Sequence, residues 1–241
     1  VLLSQVLAQL SGSYSIGSGG YYSSFTAAAS DLATSGVDGA VIFNVISGTY
    51  TEQVVIDPVI GASSTNTITF KSQYGTASSV TLAYSAAGSS DNWVVKLNGA
   101  DYIIFKNMTF QATGASYSRI LVLEEGVDGV RVEGNTFTGN ETNSSSANYA
   151  FIYGSSSYGS ARIIKDNTFI NGSYGISLIS GDHRTGLEIT GNSFTDTNTG
   201  IYVTDYDDVV VKDNTISGDG MYDDGIYLSN CNGQIEVTGN R

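Results

Sequence analysis

Residues 130–137 read VRVEGNTF, and the pattern returns at 187–194 as LEITGNSF and at 209–216 as VVVKDNTI. RIIKDNTF at 162–169 is a close relative, IEVTGN at 235–240 is a truncated copy, and IIFKNMTF at 103–110 places Met108 where the others have Asn. The asparagines of the motif, Asn135, Asn167, Asn192, Asn214 and Asn240, are separated by 32, 25, 22 and 26 residues. Apolar residues alternate through each copy, as a strand with one buried face requires. A second strand precedes each motif, most clearly GISL (175–178), GIYV (200–203) and GIYL (225–228). Reading backwards, Val45, Phe70, Leu97, Val122 or Leu123, and Tyr153 take the place of Leu178, Val203 and Leu228. Each coil thus holds at least two short strands and buries its inner face on the next coil.

A propeller blade needs about 40–45 residues, and a leucine-rich repeat needs a leucine framework that this chain lacks. The expected fold is therefore all-β: a right-handed parallel β-helix of about eight coils. Strands of successive coils lie about 4.8 Å apart, so the five asparagines form a row that bonds along the stack. Asparagine also tolerates the left-handed turn there. Phe110, Phe137, Phe169, Phe194 and Ile216 then stack inside. Residues 1–20 read as a lead-in, 21–38 as a capping helix and 39–241 as one β-helix domain within a longer polypeptide. In the helix, Phe25, Ala28, Ala29 and Leu32 share a face, Ser23 or Ser24 is the N-cap, and Gly36 ends it. The helix would cover the mouth of the first coil. No such cap follows Arg241, so the chain is expected to continue or to dock its last coil on a partner.

Composition agrees with many short strands and tight turns: among 241 residues there are 29 Gly, one Pro and only 14% charged residues. A net charge of −13 argues against nucleic acid as a partner, because phosphates must be met by clustered cations. No apolar run approaches the roughly 20 residues needed to cross a bilayer, so no membrane insertion is expected. The single cysteine, Cys231, rules out an internal disulfide.

The coils, the preceding helix and the segment GTYTEQVVI (48–56) resemble the right-handed β-helix proteins of the pectate-lyase-like superfamily. LSGSYSIG (10–17), GAVIFNVISGTYTEQVVI (39–56) and IGASSTNTITFKSQYG (60–75) are similar to the N-terminal part of large secreted surface proteins of Bacteroidetes-type bacteria. That resemblance implies a secreted or cell-surface protein, adhesive or associated with carbohydrate. The superfamily spans lyases, hydrolases, epimerases, tailspikes and adhesins, so activity must be sought in loops.

Aligning the coils places Asp101, Asp128, Asp182 and Asp205 in one loop column, with His183, Arg184, Asp207 and Asp208 beside it. Asp182, His183, Arg184 and Asp207 are the catalytic candidates. The resemblance implies a lyase chemistry in which Ca2+, at Asp205, Asp207 and Asp208, binds an acidic sugar while His183 or Arg184 takes a proton. The competing reading is that Asp is a common turn residue whose carboxylate bonds nearby backbone. Asp223 and Asp224 resemble the paired carboxylates of polygalacturonase-like hydrolases, but Asp224 falls at a repeat turn and that family's companion motifs are missing. Tyr202 and Tyr227 should point outward one coil apart, with Ile152 and Ser177 on the same stripe, offering a face for sugar rings. Asn140, Asn143 and Asn171 lie in N-x-S/T sequons, which carry meaning only in a eukaryotic secretory route.

Three functions follow. The first is a noncatalytic scaffold that contacts glycans or cell surfaces and requires no cofactor. The second is a lyase or hydrolase of an acidic polysaccharide, and the third is end-to-end self-association through the C-terminal coil.

Overall fold

A computed structural model describes residues 8–155, 159–218 and 224–241. Its strands pair in parallel and form three columns that run along one axis. The first, the asparagine face, holds Val37–Val45, Ile68–Ser72, Ile103–Lys106, Arg131–Glu133 and Arg162–Lys165, then the second halves of two long strands, Tyr174–Thr190 and Thr199–Lys212, and finally Glu236–Thr238. The second, the phenylalanine face, is a seven-stranded sheet running from Gly48–Thr51 to Thr215–Ser217. The third, the tyrosine face, runs from Val54–Ile56 through Val95–Asn98, Leu121–Glu124 and Ala150–Ser155 into the first halves of the two long strands, and ends at Asp224–Ser229. The chain visits the three faces in turn, which makes a parallel β-helix. The described residues give seven complete turns, with a further strand at each end.

Alternation fixes which side chains turn inward, and register stacks them. On the asparagine face Phe43, Phe70, Phe105, Val132, Ile164, Ile189 and Val211 form one inner row. On the phenylalanine face Phe110, Phe137, Phe169, Phe194 and Ile216 are register partners. Rings of Phe137, Phe169 and Phe194 stack with centroids 4.9 and 4.7 Å apart. Such rows supply most of the buried apolar area.

The assignment of preceding strands needs two corrections. Val45 and Phe70 do not share a column with Leu178: Val45 pairs with Ser72 and Phe70 with Phe105, all on the asparagine face. Strands of both faces alternate inside and outside in the same way, so alternation alone does not tell which face a segment belongs to. Leu123 shares the inner row of Leu97, whereas Tyr153 pairs with Ser177 and points outward, with Gly154 opposite Leu178.

The helix spans Phe25–Ser35, and its N-cap Ser24 accepts from the Ala27 amide at 3.0 Å. Glu52, from the loop after Gly48–Thr51, accepts the Phe25 and Thr26 amides at 3.2 and 3.0 Å, placing a carboxylate at the positive helix end. Gly36 ends the helix at φ +68°, with its amide on the Leu32 carbonyl. Ahead of the helix, Leu10–Ile16 already pairs with Val37–Val45, so the lead-in carries a strand of the asparagine face. Phe25, Ala28, Ala29 and Leu32 are buried against the first coils.

Candidate functional site

The five asparagines occupy the turn between the asparagine and phenylalanine faces and bond in one unbroken row. Oδ1 of Asn167 accepts the backbone amide and the Nδ2 of Asn135, at 2.9 and 3.2 Å. Asn192 does the same for Asn167, Asn214 for Asn192, and Asn240 for Asn214. Each Nδ2 also reaches a carbonyl of the preceding coil, as Asn167 reaches Val132 at 2.8 Å. The Met108 amide donates to Asn135 at 3.0 Å, so the row ends where the sequence substitutes Met for Asn. These amides satisfy buried backbone and leave nothing free to act on a ligand.

On the tyrosine face the outward row runs Val55, Lys96, Val122, Tyr153, Ser177, Tyr202, Tyr227. Ile152 is not on it. It pairs with Ile176 and is fully buried, because the strand Ala150–Ser155 stands one residue out of the expected register. Tyr202 and Tyr227 stack nearly parallel with centroids 4.8 Å apart, and Tyr174 meets Tyr202 edge-on at 5.7 Å. Tyr227 is 39% exposed. Burial, then the neighbouring Tyr227, Tyr174 and Asp205, pushes the Tyr202 hydroxyl above its ordinary range, so it remains a protonated donor. Further along the row, Arg119 lies over the Tyr153 ring at 3.6 Å and Lys96 over Trp93 at 3.9 Å. The face therefore presents rings and donors from several successive coils.

Where the tyrosine face gives way to the asparagine face, the expected aspartate column divides. Asp101 and Asp128 do stack there: the Asp128 amide donates to Asp101 Oδ1 at 2.7 Å, and the Ser160 amide to Asp128 Oδ1 at 2.6 Å. Their counterparts in later coils are Thr185 and Asp207, not Asp182 and Asp205. Between Ile179 and Arg184 the coil carries four residues opposite the single Asp205, so Asp182 and His183 bulge outward. Asp205 lies within Thr199–Lys212, with its carboxylate on Asn230 Nδ2.

The bulge nonetheless gathers the catalytic candidates. His183 Nδ1 lies 3.0 Å from Asp207 Oδ1, and the side chains of Asn232 and Asn230 approach its two ring nitrogens at 3.2 and 3.4 Å. Arg184 pairs with Asp182 at 2.9 Å. Desolvation pulls the Asp207 carboxyl upward, but His183 and Asn232 together outweigh it and hold the group below its usual range. The trio expected for Ca2+ does not converge. Asp205 faces Asn230, Asp207 faces His183, and Asp208 accepts the Gln234 amide at 2.8 Å. Among the described residues no three His, Cys, Asp or Glu side chains are grouped to hold a metal ion. Of the Asp223 and Asp224 pair, Asp223 lies outside the described residues. Asp224 opens a strand opposite Thr199, a repeat position.

Arg162 was missed by sequence reasoning. It stands in a core row opposite Leu187, with Nε and Nη2 on the Val127 carbonyl at 3.1 and 3.0 Å and Nη1 on the Tyr206 hydroxyl. Burial lowers its pKa, and the paired groups compensate only in part. The signal was present: RIIKDNTF is the copy that opens with Arg where the others have Val, Leu or Ile.

A family model described as "Right handed beta helix region" matches residues 120–241. No curated protein matches. Two solved structures of the pectin methylesterase from Aspergillus niger, one deglycosylated and one retaining an N-acetylglucosamine stub, are similar in fold. Each has a TM-score of 0.52 and 15% identity, over 94% of this chain and 87% of that one. No helix among the described residues is long and apolar enough to cross a membrane.

Proposed function

We propose, on the premise that the chain belongs to the right-handed β-helix family, that it is an extracellular scaffold whose tyrosine face contacts glycans without cleaving them. The observation that carries this reading is the parallel Tyr202–Tyr227 stack, extended edge-on by Tyr174. Rings stacked one coil apart present a ladder of apolar edges and hydroxyls along the face, suited to van der Waals and hydrogen-bond contact with a sugar chain. A rigid stack loses little conformational entropy when a sugar settles on it. The similar solved structures bear the name of a pectin methylesterase, so pectin is the first glycan to try.

A second reading has one specific observation in its favour, the 3.0 Å contact of His183 with Asp207 at the end of the same face. A carboxylate that orients an imidazole is a general-base arrangement, suited to a polysaccharide lyase or hydrolase.

Calorimetry of the purified protein with pectin oligosaccharides tests the first reading. Binding that disappears in the Tyr202→Ala, Tyr227→Ala double variant supports the tyrosine face, and unchanged binding removes it. Reducing or unsaturated products that depend on His183, released from any polysaccharide in the same screen, would replace the scaffold with the enzyme.

A further inference from the structure

The chain carries ten Lys and Arg residues against 23 Asp and Glu. Five of those ten, Lys71, Lys106, Arg131, Lys165 and Lys212, project from the outer surface of the asparagine face. Register places Lys71, Lys106, Glu133 and Lys165 in consecutive coils of one outward row, with Lys212 two coils further on. Arg131 stands in the adjoining row. Two shallow depressions, of about 550 and 320 Å³, meet here and share Lys106, Asn107, Arg131 and Glu133. Lys71 and the exposed ring of Tyr74 lie at one end and Lys165 at the other. The row from Lys71 to Lys165 crosses three coil steps, about 14 Å along the axis.

One acidic residue interrupts the row. Glu133 accepts from Lys106 at 3.1 Å and from Arg131 Nε at 2.7 Å, and partial burial does not prevent these cations from holding its carboxyl below the usual range. The pairing fixes Lys106 and Arg131 in place, and a second carboxylate, Asp166, lines the groove 3.8 Å from Lys165. Lys71, Lys106, Arg131 and Lys165 thus stand against Glu133 and Asp166, so the groove keeps an excess of positive charge on a strongly negative protein.

We propose that this groove binds an acidic linear polysaccharide, with a carboxylate or sulfate on its repeating unit, laid along the coil axis. Charge complementarity selects the sign of the ligand. The periodicity selects a polymer, because cations repeating with the coils match a charge that repeats with the sugar. Tyr74 at the groove end adds a ring on which a sugar can rest. The site lies on a different face from Tyr202 and Tyr227, so it stands or falls independently of the glycan reading above.

Binding of polygalacturonate, dextran sulfate and neutral dextran to the purified protein, at low salt and at about 0.15 M salt, tests this assignment. At least one acidic polymer should bind, more weakly as salt rises, and dextran should not. The acidic polymer that binds identifies the group as carboxylate or sulfate. Lys71→Glu with Lys165→Glu should weaken binding about tenfold or more, since each reversal replaces an attraction by a repulsion. Lys71→Gln with Lys165→Gln should give a smaller loss and keeps the test open if the first variant misfolds. The loss caused by the lysine substitutions should persist in the Tyr202→Ala, Tyr227→Ala background, which separates the groove from the tyrosine face. The proposal fails if neither acidic polymer binds, if dextran binds equally, or if the lysine variants retain full affinity. It also fails if poly-glutamate binds as tightly as the acidic sugars, because the occupant would then be an acidic polypeptide.

Discussion

Replacing Asn167 with alanine removes a side chain that takes part in four hydrogen bonds at the centre of the asparagine row. The Asn135 amide, buried and 2.9 Å from Asn167 Oδ1, is left with no acceptor from the row, and the Val132 carbonyl loses its 2.8 Å donor. Asn135 Nδ2 keeps the Phe105 carbonyl, and Asn192 Oδ1 keeps the Asn167 backbone amide, so the damage is confined to one coil interface. The orphaned buried donor costs about 1–3 kcal/mol and each of the three other bonds lost about 1 kcal/mol, which sums to roughly 4–6 kcal/mol. That is a large share of the ~5–15 kcal/mol that stabilises an ordinary domain. Urea unfolding reads the total. Because stacked coils open locally, hydrogen exchange at the Asn135 amide reads the site itself, and its protection should fall. A loss below about 1 kcal/mol together with unchanged exchange would refute the claim that this row holds the coils in register.

Phe169→Ala removes a fully buried ring stacked between Phe137 and Phe194 and should cost about 3–5 kcal/mol by urea unfolding. Gly36→Ala places a Cβ 2.6 Å from the Ile60 carbonyl at φ +68°, so it should lower Tm where a surface Gly→Ala elsewhere would not. Glu133 has a depressed pKa, so the stability it contributes is complete above the ordinary carboxylate range and is lost as pH falls through its lower folded value. Glu133→Gln should accordingly be less stable than the parent at neutral pH and should narrow that gap in acid, as followed by Tm against pH.

Much of the fold was legible because the coil writes itself into the chain repeatedly. VRVEGNTF and its copies announce the asparagine and phenylalanine faces, since alternation and a turn asparagine recur together. The tyrosine face was legible only in its later coils. Ahead of Gly175 its strands lack the Gly-Ile opening, and Val45 and Phe70 alternate equally well on another face. Ile152 and Tyr153 show the same weakness, because a slip of one residue exchanges inside for outside. The loop candidates fared unevenly for a related reason. Alignment by spacing assumes coils of equal length, and three extra residues ahead of Arg184 carry Asp182 out of its column. No periodic signal encodes that bulge, so the contact of His183 with Asp207 and the approach of Asn230 and Asn232 to its ring emerge only when the strands on either side are in register. The basic groove was legible only in part: Lys106, Lys165 and Lys212 take the fourth place of their motif copies, but Lys71 and Arg131 join them only across coils.

The asparagine row has a direction. Every Oδ1 in it takes the backbone amide of the coil before, and every Nδ2 reaches back to that coil's strand. A chain can therefore gain or lose material here only as an entire circuit, because a fraction of one would leave an amide pointing at nothing. The arcs between faces obey no such rule, and successive asparagines tolerate intervals of 22 to 32 residues. Reach and chemistry are thus varied separately in such a molecule: the number of circuits sets how far it extends, and the lengths of its arcs set what it touches.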